Sequence, residues 1–155
     1  LLLGKTAEWN LPVWIASLDL RKAFDRIQHA PIFEALRQQG VSDGYISLIA
    51  ALYESQAASV NGSPPFDIER GVRQGDVLSS LLFNAGVEIA MRRWKRRLGE
   101  QGWLLSPGTE RLTNVRYADD TLLPARSLTQ IADMISLLAA ESQAIGLSFT
   151  CAKCV

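Results

Sequence analysis

Apolar positions along the chain follow two periods, and the switches between them mark out the elements. Residues 13–19, Val-Trp-Ile-Ala-Ser-Leu-Asp, are apolar almost without interruption. That pattern predicts a strand buried on both faces, with Asp19 at its end. Pro31 opens a helix because its ring presets φ; Ile32, Phe33 and Leu36 form the apolar stripe and Gly40 stops it. Ser42 caps a second helix that runs to about Glu54, with Ile46, Ile49 and Tyr53 on one face and Leu48 and Leu52 on the adjoining one. Residues 57–60 and 66–69 predict two short strands around Asn61-Gly62, a hairpin dipeptide, in a loop lengthened by Pro64-Pro65.

A long helix is predicted over residues 77–98, with Leu78, Leu81, Leu82, Ala85 and Ile89 as its core face. Residues 99–109 read as a Gly-, Ser- and Pro-rich loop, and residues 112–123 as a hairpin turning at Ala118-Asp119-Asp120. A helix over residues 128–145 repeats Ile131, Met134, Ile135, Leu138 and Ile145, with Ser127 or Thr129 as its cap and Gly146 as its end. Residues 147–150 form a last strand. The order predicts an α+β fold, with helices packed on one face of a mainly antiparallel sheet and no linker long enough to divide the chain.

Composition narrows the class. With 155 residues, 48% of them hydrophobic, the chain suits one globular domain. No apolar run reaches the length of a membrane span, so no membrane partner is expected. Sixteen basic and sixteen acidic side chains cancel, so net charge gives no support for a nucleic-acid partner. A local argument exists in Arg92-Arg93-Trp94-Lys95-Arg96-Arg97, which reads either as a solvated helix end or as a nucleic-acid contact. Cys151 and Cys154 are the only cysteines; with no second ligand pair they read as ordinary thiols of an intracellular protein. His29, the single histidine, reads as a surface or turn residue. Gly4-Lys5-Thr6 looks like the end of a phosphate loop but lacks the preceding strand and glycine. The first residue is Leu, and the chain reads as a fragment of something longer.

Two stretches carry candidate chemistry. Asp119-Asp120 on a turn is a solvated pair or half of a metal site, since a divalent cation offsets the repulsion between neighbouring carboxylates. Asp19 ends a strand about a hundred residues earlier. If the hairpin pairs beside that strand, three carboxylates converge on a site for hard cations, and two such ions support in-line phosphoryl transfer. Arg70-Gly71-Val72-Arg73-Gln74-Gly75-Asp76 sets two glycines among cations, directly before a helix N-terminus. Such a backbone lets a neighbour approach closely, and the helix end suits an anion.

Taken together, these stretches resemble the palm motifs of reverse transcriptases. Leu18-Asp19-Leu20-Arg21-Lys22-Ala23-Phe24-Asp25 is similar to the first motif, and the run from Arg70 through Asn84 to the second. Tyr117-Ala118-Asp119-Asp120 matches the third, and Gly146-Leu147-Ser148-Phe149-Thr150 with Lys153 resembles the fourth. The forms are most like those of non-long-terminal-repeat (LINE-type) retrotransposons, with group II intron enzymes as the alternative and a catalytically dead nucleic-acid-binding remnant as another. The resemblance implies a polymerase palm with partial fingers and no thumb, acting as an RNA-directed DNA polymerase on an RNA template, a DNA primer and deoxynucleoside triphosphates (dNTPs). It implies that Asp19, Asp119 and Asp120, with the carbonyl of Leu20, hold two Mg²⁺ or Mn²⁺ ions. Phe24 would exclude a ribose 2′-hydroxyl, Gln74 and Gly75 would pack against the incoming nucleotide, and Lys153 would protonate pyrophosphate. Tyr117 would lie near the primer end, and Arg73 on the primer–template side. A nuclear location is expected for a eukaryotic element of this type. The chain departs from the family pattern at Val77 and Ser80, where proline is usual, at Thr150, where asparagine is usual, and at Cys154, where threonine is usual. Without those prolines the loop before the helix is expected to be less rigid.

Overall fold

The computed structural model describes Gly4 and residues 12–54, 57–59, 64, 66–104, 111–117 and 120–154; for Ala58, Phe66, Asp67, Tyr117 and residues 150–154 it describes the backbone alone. The described elements run β1 (Trp14–Leu20), α1 (Ala23–Arg26), α2 (His29–Gln38), α3 (Asp43–Glu54), β2 (Ala57–Ala58), β3 (Phe66–Asp67), α4 (Val77–Leu98), β4 (Trp103–Leu104), β5 (Arg111–Leu112), β6 (Val115–Tyr117), β7 (Asp120–Ala125), α5 (Leu128–Gln143) and β8 (Phe149–Cys154). The chain divides into two compact units. One comprises Leu1–Arg21, Arg93–Glu141 and Ser148–Val155, the other Lys22–Arg92 and Ser142–Leu147.

The first unit is built on a four-stranded sheet in the order β6-β7-β1-β8, and every pairing is antiparallel. Ala16, Leu18 and Leu20 of β1 are buried, as are Thr121, Leu123 and Ala125 of β7, while Asp19 and Asp120 are exposed. One face of β1 is therefore covered and the other open, which corrects the expectation of a strand buried on both faces. The near-continuous apolar run misled because the alternate positions Ile15 and Ser17 are only half-buried and Asp19 is exposed. Pro124 is tolerated inside β7 because the β6 pairing ends at Leu122, two residues short of it.

Helix α5 lines the core of this unit with Ile131, Met134 and Leu138. Ser127 caps it: its hydroxyl accepts from the backbone N–H of Gln130 at 3.2 Å. The Gln130 side chain reaches back to the N–H of Arg126 at 2.9 Å, a variant of the reciprocal capping box. Trp94 is fully buried, and its indole N–H donates to the carbonyl of Met134 at 3.0 Å. The cation run around Trp94 thus has a core residue at its centre. Arg97 pairs with Glu141 at 2.6 Å.

Two local expectations give way here. The predicted long hairpin breaks at Thr113-Asn114: Arg111–Leu112 turns to pair with Trp103–Leu104, inside the stretch read as loop, and only Val115–Tyr117 pairs with β7. Gly102 makes that small ribbon possible, since a Cβ there would lie 2.9 Å from the carbonyl of Leu112. The last strand also extends through Cys151 and Cys154 rather than ending before them, pairing with β1 through a shift between Ser17 and Leu18.

In the second unit, α2 begins two residues before Pro31, which is harmless because a first-turn N–H has no helical partner. Gly40 ends it at φ 86°, and the carbonyl of Ser42 accepts the first bonds of α3. The buried face of α4 is rotated from the predicted one. Ser79, Leu82, Phe83, Ala85 and Ile89 are buried, whereas Leu81 is 64% exposed. Gly86 fixes the rotation, because a Cβ there would lie 2.7 Å from Ile27 Cδ1 and 3.1 Å from Ile32 Cγ1. Asn61 and Gly62 of the predicted hairpin lie outside the described residues, although β2 and β3 do pair.

Candidate active site

The carboxylate-bearing part lies in the sheet. β1 and β7 pair from Trp14↔Ala125 to Leu18↔Thr121. One further step in that register sets Asp19 opposite Asp120. Leu18 and Thr121 share the buried face, so alternation sends Asp19 and Asp120 together to the open face. Opposed residues on antiparallel strands hold their Cβ atoms roughly 4.5–5.5 Å apart. Tyr117 pairs with Asp120; Ala118 and Asp119 lie outside the described residues. On its other side Asp19 pairs with Thr150, and the N–H of Arg21 donates to the carbonyl of Ser148 at 3.0 Å. Pairing with β8 therefore fixes the backbone of Asp19 and Leu20.

Two facing carboxylates repel unless a cation lies between them. Asp19 does not owe its position to an ion pair, since among the described residues neither Arg21 nor Lys22 pairs with it. Nor is it a buried charge, as the sequence suggested, because its side chain leaves the core face. Hard oxygen donors at one register position fit a divalent cation. Among the described residues no group of three metal-ligating side chains assembles. Lys153 pairs with Ser17 through its backbone, and the side chains of Lys153 and Tyr117 are outside what is described.

The second unit carries Phe24, Arg73, Gln74 and Gly75. Phe24 is half-buried, and its ring stacks on Phe83 with centroids 4.7 Å apart and planes 16° apart. Lys22 precedes it at φ 48°, the one non-glycine residue with positive φ among those described. The loop of residues 70–76 docks directly on this segment. Gly71 N–H donates to the carbonyl of Ile27 at 2.8 Å and Val72 N–H to that of Phe24 at 2.7 Å. The two glycines of the loop do different work. At Gly71, φ 92°, the close neighbour is the chain's own backbone, whereas at Gly75, φ 90°, a Cβ would meet nothing within 4 Å. Arg73, Gln74 and Gly75 are exposed, and the Gln74 amide donates to Asp25 at 3.0 Å.

The helix that follows starts at Val77 without a proline, because Asp76 caps it: its carboxylate accepts from the N–H of Leu78 at 2.9 Å. One N–H that the sequence offered to an anion is thus taken by the chain itself. His29, read as a surface or turn residue, is instead half-buried, with Nε2 2.7 Å from the carbonyl of Gly71. Its partner lies 42 residues away. No local pattern in the sequence could have disclosed that contact, nor the one between Gln74 and Asp25.

Residues 5–155 match the family model described as reverse transcriptase (RNA-dependent DNA polymerase). The chain is 31% identical over 145 residues to the "Retrovirus-related Pol polyprotein from type-2 retrotransposable element R2DM" of Drosophila melanogaster, covering 91% of this chain and 13% of that protein. It is 32% identical over 146 residues to the R2 element Pol polyprotein of Nasonia vitripennis, covering 92% of this chain and 14% of that protein. The chain therefore spans about a seventh or less of these relatives. Among solved structures, the apo telomerase of Candida tropicalis superposes with a TM-score of 0.67 at 18% identity, over 99% of this chain and 32% of that one. Telomerase of Candida albicans, in complex with a fragment of telomeric RNA, superposes with a TM-score of 0.69 at 15% identity, over 98% of this chain and 28% of that one. At those identities the likeness is one of fold.

Proposed function

This chain belongs to the reverse transcriptase (RNA-dependent DNA polymerase) family, and on that premise we propose that it is the palm region of the RNA-directed DNA polymerase of a non-long-terminal-repeat retrotransposon. The observation that carries the proposal is the common register and common open face of Asp19 and Asp120, with Tyr117 paired to Asp120 on its other side. The R2 relatives favour this element type over a group II intron enzyme.

The reaction is attack of a primer 3′-hydroxyl on the α-phosphorus of a dNTP, with pyrophosphate leaving. Divalent ions, Mg²⁺ or Mn²⁺, would supply acidification of that hydroxyl and neutralisation of the leaving charge. Asp19, Asp119 and Asp120 would hold those ions, with the carbonyl of Leu20 beside them. The pairing of Asp19 with β8, and of Leu18 before it with β7, supports this role, because the ligand's backbone is set before any ion binds. Phe24, braced by its stack on Phe83, would exclude a ribose 2′-hydroxyl by contact. Gln74 and Gly75 would pack against the nucleotide, and the open space at Gly75 supports that. Tyr117 and Arg73 are assigned to primer and template, and Lys153 to the proton that pyrophosphate gains. For the protein as a whole we propose an RNA template and a DNA primer as partners, and the nucleus as its place of action.

Primer extension on an RNA template with Mg²⁺, using the polypeptide that carries these 155 residues, tests the assignment. The parent is expected to incorporate dNTPs and Asp119→Ala to abolish incorporation. Equal extension by Asp119→Ala would overturn it.

A further inference from the structure

We propose that His29 is a positioning residue that sets the nucleotide-side loop, residues 70–76, by clamping the carbonyl of Gly71. The proposal rests on the polymerase function above, which gives Gln74 and Gly75 their role. Gly71, the second residue of the loop, has its N–H held by the carbonyl of Ile27. Its own carbonyl lies 2.7 Å from His29 Nε2. A carbonyl only accepts, so Nε2 carries the proton and donates it. The bond is partly buried, so water competes for it less than it would for an exposed bond.

The imidazole is itself held. It meets Tyr53 edge-on with centroids 5.1 Å apart and is tilted against Phe33 at 6.3 Å. Tyr53 is buried, and its hydroxyl lies 3.4 Å from Ser79 Oγ, which is fully buried in the first turn of α4. One contact chain therefore touches the loop at Gly71 and the helix that follows it at Ser79. Between these fixed points Arg73, Gln74 and Gly75 are exposed, and Gln74 is tied to Asp25 at 3.0 Å. The ends are anchored and the tip is presented. Without the imidazole donor, the Gly71 carbonyl loses its side-chain partner, and a glycine at that φ has the freedom to swing away.

The expected consequence is looser nucleotide binding with unchanged chemistry. His29→Phe keeps an aromatic ring against Tyr53 and removes the donor; His29→Gln restores an N–H near the position of Nε2. Amide hydrogen exchange across residues 70–76 of the chain should accelerate roughly fivefold in His29→Phe, the equivalent of one net hydrogen bond, and return to the parent rate in His29→Gln. In dNTP incorporation by the polypeptide carrying these residues, KM for dNTP should rise by a similar factor while kcat stays within about twofold, again with recovery in His29→Gln. If His29→Phe does not fold, His29→Leu takes its place in both measurements. Unchanged exchange in the donor-less variant overturns the proposal, as does a fall in kcat with no change in KM, or failure of His29→Gln to recover either readout. If the parent itself incorporates nothing, the polymerase function fails, and the exchange rates alone decide the role of His29.

Discussion

A Cβ on Gly71 would lie 2.8 Å from the carbonyl oxygen of Phe24 and 3.0 Å from the backbone of Asp25. The second sequence motif is thus pressed against the first with no room for a side chain, backbone on backbone. Gly71→Ala carries both the positive-φ penalty of about 1–2 kcal/mol and an overpacking term of about 1–3 kcal/mol. Gly75→Ala carries only the first, because the space around it is open. Urea unfolding of the two variants should separate them, with Gly71→Ala the less stable by about 1–3 kcal/mol. Equal losses would mean that the docking of this loop on the Phe24 segment contributes nothing.

Lys22 offers the opposite test. It occupies the left-handed region at φ 48°, ψ 48°, between the strand that carries Asp19 and the short helix that carries Phe24. A side chain there costs roughly 1–2 kcal/mol that glycine does not incur. Glycine's greater freedom in the unfolded chain returns part of it. Lys22→Gly is therefore expected to raise stability by about 0.5–1 kcal/mol, read as a higher urea midpoint at unchanged slope. Lys22→Val should lower it, because a β-branched side chain tolerates this conformation least.

Element types were legible in the sequence because each rests on local rules: helical stripes for α2, α3, α4 and α5, and strand propensity for β1 and β7. What escaped was set by contacts between residues far apart in the chain. The α4 face turned because Gly86 meets Ile27 and Ile32, which no periodicity within residues 77–98 records. The first strand of the expected hairpin broke at Thr113-Asn114 because Arg111 and Leu112 found partners in a stretch read as loop. Of the candidate site, the sequence posed the pairing of the Asp120 strand with the Asp19 strand only as a condition, which the β1–β7 register meets, whereas His29 and Asp25 gained their meaning only from partners 42 and 49 residues away.

Trp94 shows how a charge run can conceal a core position. It sits among five cations, yet it is fully buried with its N–H on Met134. Trp94→Phe removes that donor and leaves space, for an expected loss of about 2–4 kcal/mol. Arg97→Ala, which breaks a pair whose cation is half-exposed, should cost less than about 1 kcal/mol. Thermal or urea unfolding checks the ranking. A larger loss for Arg97→Ala would make the basic run, rather than the tryptophan, the structural part of this helix.

Asp19 and Asp120 face the same way at the same register, so each carries the other's repulsion until a cation joins them. Neutralising one should therefore act in opposite directions with and without metal. In chelator, Asp19→Asn and Asp120→Asn should each be slightly more stable than the parent, because a like-charge opposition is gone. With Mn²⁺ the parent should gain stability by mass action and the variants much less. Calorimetric titration should show Mn²⁺ affinity falling at least tenfold in either variant, about 1.4 kcal/mol. The double variant should lose little more than the singles, since residues that share one ion do not act additively. If the singles bind Mn²⁺ as the parent does, the two carboxylates are not joint ligands, and their common register serves only the sheet.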